Sequence, residues 1–260
     1  MIEEPYRWVE AIANRREYIE HQLAGGSPIA ALNYRGGILL LTLGRERQKL
    51  FEIYDRIGLG AIGHPGDIER LRMTAIEITS TEGFARSAHD VSLRRLANYA
   101  LSPALKAAFE QIYGAPYLAR MLFAELGRDS TPNTFLRLEY DGAIHTNGGT
   151  FGKSFDQFGV LSGTAASSAK MEQFLHQQTL PAATLEKALG IALDAWAVGH
   201  LAQAGEPGDE LPADDVVKQH RTEQLATSSI EAAILTDAGS KAATWRILHD
   251  AEVREQLAPR

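Results

Sequence analysis

Between residues 28 and 62 the chain carries four short apolar runs with no helical stretch among them, and this arrangement restricts the fold more than any other feature. Runs 28–33 and 37–43 are rich in Ile, Leu and Ala and flank the turn Tyr34-Arg35-Gly36-Gly37, which reads as a buried hairpin. Runs 49–53 and 56–62 form a second pair around Tyr54-Asp55, with Leu50, Ile53, Ile57, Leu59 and Ile62 separated by polar or small residues. Strand pairs that follow one another directly are joined by turns, so they build antiparallel sheets; a parallel sheet would need a crossover helix after each strand.

The rest of the chain repeats this block order. A leading helix is expected at 8–23, where Trp8, Ile12, Tyr18 and Ile19 lie among charged residues until Gly25-Gly26 ends it. After the four strands, residues 67–80 carry Ile68, Leu71, Ala75 and Ile76 at helical spacing behind the start signal Pro65-Gly66. Residues 92–113 continue as helix through Leu93, Leu96, Leu101, Leu105 and Phe109, with Pro103 expected to kink or break it. Strands are expected at 117–125, 134–139 and 156–161, then helices at 165–178 and 184–201, a last strand at 230–235 and a closing helix over 244–257. The acidic stretch 205–215 reads as a solvated loop, within a polar insertion loop spanning 205–229. Blocks of strands and helices predict an α+β fold, two packed sheets with helix pairs outside them. No long linker divides the chain, so residues 1–260 read as one domain: a tail at 1–7, the leading helix at 8–24, a sandwich core at 27–204, the insertion at 205–229, and the last strand and helix at 230–260.

Composition excludes several classes of function. The net charge is −7 and the lysines and arginines are scattered singly, so the phosphate attraction of a nucleic-acid binder is missing and no such partner is expected. The acidic start, Met1-Ile-Glu-Glu, is not that of a signal peptide. The longest clean apolar run, 38–41, falls far short of the roughly 20 residues that cross a bilayer, so no membrane partner is expected either. Without cysteines there are no disulfides, thiolate nucleophiles or Cys-ligated zinc, in keeping with a reducing cytosol.

Several strings carry a family resemblance. Lys49-Leu-Phe-Glu-Ile-Tyr-Asp-Arg-Ile-Gly-Leu-Gly-Ala-Ile-Gly-His64, followed by Gly66-Asp-Ile-Glu-Arg-Leu71, resembles the actinobacterial α-subunit signature of the proteasome family. The leading stretch from Val9 to Gly37, Arg137 to Ala143 and Ile230 to Asp237 are similar to the same subunits. The resemblance implies a four-layer αββα sandwich of the N-terminal nucleophile hydrolase type and a non-catalytic, cytoplasmic α-type subunit of a bacterial 20S core. Such a subunit would form a homomeric seven-membered ring, stack on catalytic β subunits, admit unfolded protein substrates and dock an AAA ATPase activator. By the same resemblance Lys49 would line a pocket between neighbouring subunits and pair with the activator's C-terminal carboxylate, a task for a charge-assisted donor. Gly26 would lie on the same wall, and His64 is a further candidate. Met1, Ile2, Glu3, Glu4, Pro5, Tyr6 and Arg7 would form gate segments at the ring axis.

The alternative is an enzyme. Catalytic relatives attack with an N-terminal threonine whose own amine is the base, aided by a lysine. The position entering the first strand here is Gly26-Ser27-Pro28, so Ser27 is a nucleophile only if the chain is cleaved after Gly26. Pro28 and the leading helix argue against that, and the acid that catalytic subunits place near the end of the second strand has no match at 42–45. Gly148-Gly-Thr-Phe-Gly-Lys-Ser154 nearly spells a P-loop but is one residue short and precedes an expected strand, so it reads as a glycine-rich interface loop and no nucleotide cofactor is expected. The eight histidines show no metal-ligand spacing, so no metal is expected. Ser162-Gly163-Thr164 resembles the turn that holds an auxiliary serine in catalytic relatives, and a strand-to-helix cap explains it equally.

Overall fold

A computed structural model describes residues 5–45, 47–111, 113–128, 131–146, 157–180, 182–205, 210–236 and 244–257. In chain order the elements are α1 (Pro5–Leu23), β1 (Ile29–Tyr34), β2 (Gly37–Gly44), β3 (Leu50–Tyr54), β4 (Ile57–Gly63), α2 (Pro65–Ala85), α3 (Leu93–Leu96), a π turn (Ala97–Leu101) and α4 (Ser102–Glu110). There follow β5 (Ala119–Glu125), β6 (Thr134–Leu138), β7 (Ile144–His145), β8 (Phe158–Leu161), α5 (Ala165–Leu175), α6 (Leu185–Ala204), α7 (Asp214–Thr227), β9 (Ser229–Thr236), β10 (Trp245–Leu248) and α8 (Asp250–Leu257).

Two antiparallel sheets of five strands, ordered β10-β9-β2-β1-β8 and β3-β4-β5-β6-β7, lie face to face. Alternation along the strands divides the apolar residues between layers. In β1, Ile29 and Ala31 join Ile38, Leu40, Leu122 and Phe135 between the sheets. Ala30 and Leu32, pointing the other way, meet Met171 of α5 and Leu189, Ala192 and Trp196 of α6. On the far side Ile57, Leu59 and Ala61 of β4 pack under Leu71 and Ala75 of α2 and Leu105 of α4. The result is the four-layer αββα sandwich. Glycines allow the sheets to close: a Cβ on Gly60 would lie 3.0 Å from Ile29 Cγ2, and one on Gly159 2.8 Å from Leu122 Cδ1.

The structure moves several expected boundaries. Pro5, Tyr6 and Arg7, expected in the tail, belong to the first turn of α1, where a proline costs the helix no hydrogen bond; Met1 to Glu4 and the near-P-loop 148–154 lie outside the described residues. Pro103 acts through the turn before it: the ladder widens, Ser102 N–H bonds to Ala97 O, and the proline enters α4 near its start, where no amide is needed. The insertion at 205–229 is not all loop. Its acidic residues include Asp214 and Asp215 in the first turn of α7, where they complement the helix dipole. The expected helix over 244–257 is half strand: Trp245–Leu248 pairs antiparallel with β9 and only Asp250–Leu257 is helical, because Trp245 and Leu248 also fit an i, i+3 spacing that a four-residue strand cannot contradict.

Candidate functional site

Where α1 gives way to β1, the chain passes Gly25, Gly26 and Ser27 and forms one wall of a cavity of about 680 Å³. The facing wall is Arg47, Gln48 and Lys49, which lead into β3; Phe51, Ile62 and Ile68 supply an apolar floor, and Pro65 and Glu69 of α2 close the end. Gly26 N–H bonds back to Leu23 O at 2.8 Å, and Gln203 of α6 donates to Gly26 O at 2.7 Å, so this wall is held from both sides. A Cβ on Gly26 would come within 2.9 Å of Ile62 Cδ1, so any side chain there would displace the floor.

Lys49 is anchored by its backbone. The Glu231 carboxylate of β9 accepts from Lys49 N at 2.8 and 3.0 Å and from Leu50 N at 2.7 Å, fixing the start of β3 against the other sheet. The ammonium is less restrained: among the described residues its one hydrogen-bond acceptor is Leu43 O, at 3.3 Å. Burial holds the Lys49 pKa below the ordinary lysine range, against the opposing charge of Glu231. Burial likewise raises the Glu231 carboxyl, although the two amides and Lys49 pull the other way. A half-buried ammonium with donors to spare is a site for a carboxylate arriving from solvent.

Ser27 Oγ donates to the same Leu43 O at 2.7 Å, so the serine and lysine converge on one carbonyl at the end of β2. Trp196 Nε1 of α6 donates to Ser27 Oγ at 3.1 Å. Behind Trp196 stand two histidines. His200 stacks on its ring with centroids 4.7 Å apart, and His200 Nδ1 lies 2.9 Å from His220 Nε2 of α7. Burial depresses the pKa of both histidines; His220 and Lys49 lower that of His200 further. Among the described residues no group of three His, Asp or Glu side chains could hold a metal ion.

Lys49, Gly26 and Ser27 thus come together. His64 precedes α2 between Gly63 and Pro65, both on the cavity, but its own ring is exposed and does not line it. Thr164 caps α5 by accepting from Ser167 N at 3.2 Å, while Ser162 Oγ accepts from Gln203, so that turn is a cap tied to the cavity wall. Trp196, His200 and His220 went unread in the sequence, because they lie on two helices and only the packing of α6 on α7 brings them together.

No family model matches the chain. It is similar to the proteasome subunit alpha of Mycobacterium leprae, 30% identical over 243 residues that cover 92% of this chain and 82% of that one. The corresponding proteasome subunit alpha of Rhodococcus erythropolis is 30% identical over 254 residues, 96% of this chain and 90% of the relative. That of Streptomyces griseus is 30% identical over 210 residues, 79% and 71% of the two. With relatives 30% identical over more than nine-tenths of its length, the chain belongs to the proteasome α-subunit family.

Proposed function

We propose that this chain is a non-catalytic, outer-ring α subunit of a bacterial proteasome core, working in the cytoplasm. It forms a homomeric seven-membered ring on rings of catalytic β subunits, narrows the entrance to unfolded protein substrates with its N-terminal segment, and docks the C-terminal carboxylate of an AAA ATPase activator on Lys49. The observation that carries this reading is the Lys49 ammonium, part-buried at a cavity wall with a single acceptor among the described residues, beside a glycine wall tied directly to α1. A docked carboxylate supplies the countercharge that burial withholds from Lys49, and the apolar floor accommodates the side chains that precede it. Docking opens the gate only to the extent that the carboxylate binds the open state more tightly.

The rival, a self-processed hydrolase using Ser27, is disfavoured by how α1 is held. Ile19 and Leu23 are buried against Phe109 and Tyr140, and Arg15 donates to the carbonyls of Ala108, Phe109 and Gly114. Ser27 would gain the free amine that serves as base only if the chain were cut after Gly26, severing β1 from a helix held by these contacts. Native mass spectrometry of the chain expressed alone, and with a catalytic β-type subunit from the same organism, separates the readings when each sample is assayed for peptidase activity. Uncut rings that gain activity only with the β subunit are expected. A chain that has lost residues 1–26 and cleaves peptides alone would overturn the proposal.

A further inference from the structure

The His200–His220 contact lies directly behind the cavity and bridges α6 to α7. Two imidazole nitrogens 2.9 Å apart share one proton, one ring donating and the other accepting. A first added proton goes to the outer nitrogen of the donor ring and leaves the bridge intact. A second would have to enter the bridge and break it. The pair is therefore a one-proton acceptor, stacked on the Trp196 ring whose N–H holds Ser27 in the cavity wall.

The charges that reach this pair come from several elements. Lys49, ahead of β3, acts on His200, and Glu223 of α7 acts on His220 in the opposite sense. Asp194 of α6 pairs with Arg221 of α7 at 2.7 Å, and its own titration is influenced by burial first, then by Arg221, Lys218 and Asp214. Glu231 of β9 is engaged by the Lys49 and Leu50 amides. β1 and β2 present no charged side chain. On α5, Lys170 bonds Gln173 and Glu210 O and Glu172 pairs with Arg137, while on α8 Asp250 pairs with Arg254. Lys49 is thus the cation that opposes a positive charge on His200, and it is the cation a docked carboxylate neutralises.

We propose that the His200–His220 pair takes up a proton when a carboxylate docks on Lys49, so that docking at this cavity strengthens as pH falls below the ordinary histidine value near 6.5. The inference rests on the docking reading of Lys49. Linkage makes the effect reciprocal: the carboxylate favours the protonated pair as much as the protonated pair favours the carboxylate. The bound carboxylate stays ionised down to about pH 5, and a histidine variant separates the pair's share of the pH dependence from that of Lys49 and Glu231.

The test uses the full chain and N-acetyl-Ala-Phe-Leu with a free carboxylate, its C-terminal amide serving as control, with affinities measured by calorimetry from about pH 5 to about pH 7.5. The acid is expected to bind about fivefold more tightly at about pH 5 than at about pH 7.5, the low end of typical coupling between sites, and His220→Gln flattens that slope. A flat wild-type profile overturns the proton link while leaving docking intact; binding that survives Lys49→Met, or an amide that binds as well as the acid, overturns the docking reading itself. A second measurement needs no ligand. In an NMR titration of the histidine rings, Lys49→Met raises the midpoint of the pair's first protonation, and an unchanged midpoint overturns the proposal.

Discussion

A guanidinium that is 5% exposed must find all its partners inside the protein, and Arg120 of β5 does so. It pairs with Glu139, donates from Nη2 to both carboxylate oxygens of Glu20 of α1 at 2.9 Å, and donates from Nη1 to Ser162 O and Gly163 O at 3.1 and 3.0 Å. Burial alone would lower its pKa, and the Glu139 and Glu20 carboxylates outweigh that, so its charge is secured. Tyr140 donates to Glu20 Oε1 at 2.7 Å, and desolvation with that bond pushes the phenol far above its ordinary range. Arg120→Met should cost about 3 kcal/mol, the low end for breaking a buried ion pair, because the Glu20 side chain is 41% exposed and can rehydrate. Urea unfolding measures it, and a loss below about 1 kcal/mol would show that Arg120 only fills space. Lys49 was legible in the sequence through the string around it. Arg120 was not, since its partners lie 100 residues before and 19 and 42 after it.

Among the elements, α6 and α7 differ most in what anchors them. α6 buries ten residues, from Ala188 to Gly199, whereas α7 buries Val217 alone. Beyond that residue and the partly buried Leu225, which packs on the same core, α7 is held by polar contacts: the His220–His200 bridge, the Arg221–Asp194 pair, and the carbonyls that Leu225 and Ser228, at its end, offer to Arg254. A helix with so little apolar burial opens locally without the rest of the sandwich. Amides of α7 are therefore expected to exchange at least about a hundredfold faster than those of α6 in native-state hydrogen exchange. Equal protection would mean that α7 unfolds only with the core. The same property explains why the sequence left 205–229 as a loop: a helix with one buried residue has almost no apolar period to read, and its acidic start resembles solvated loop composition.

For the whole molecule, pH acts on buried groups of both signs. The folded protein holds the His200 and His220 pKa values down, so the unfolded chain binds more protons as pH falls through the ordinary histidine value near 6.5, and stability is lost there. Glu125, Asp194 and Glu231 have pKa values raised chiefly by burial. Their ionised forms disfavour the fold, and protonation below about pH 5 relieves that cost. Stability should therefore decline from about pH 7.5 to 5.5 and level off below, with the first decline smaller in His220→Gln. Urea titrations at fixed pH read both features, and a monotonic loss through pH 4 with no dependence on His220 would contradict the assignment.

What the sequence determined by itself is what local spacing encodes. Period-2 runs placed the paired strands, period-3.6 runs placed the helices, their block order argued for two stacked sheets, and the string from Lys49 to His64 carried the resemblance to the family. Only the tertiary structure decided that Ser27 and Lys49 meet on the carbonyl of Leu43 and that two histidines twenty residues apart stand within hydrogen-bond distance of each other behind Trp196. Periodicity tells which face of an element turns inward, but which side chains then touch is set by how the layers pack, and that depends on every element at once.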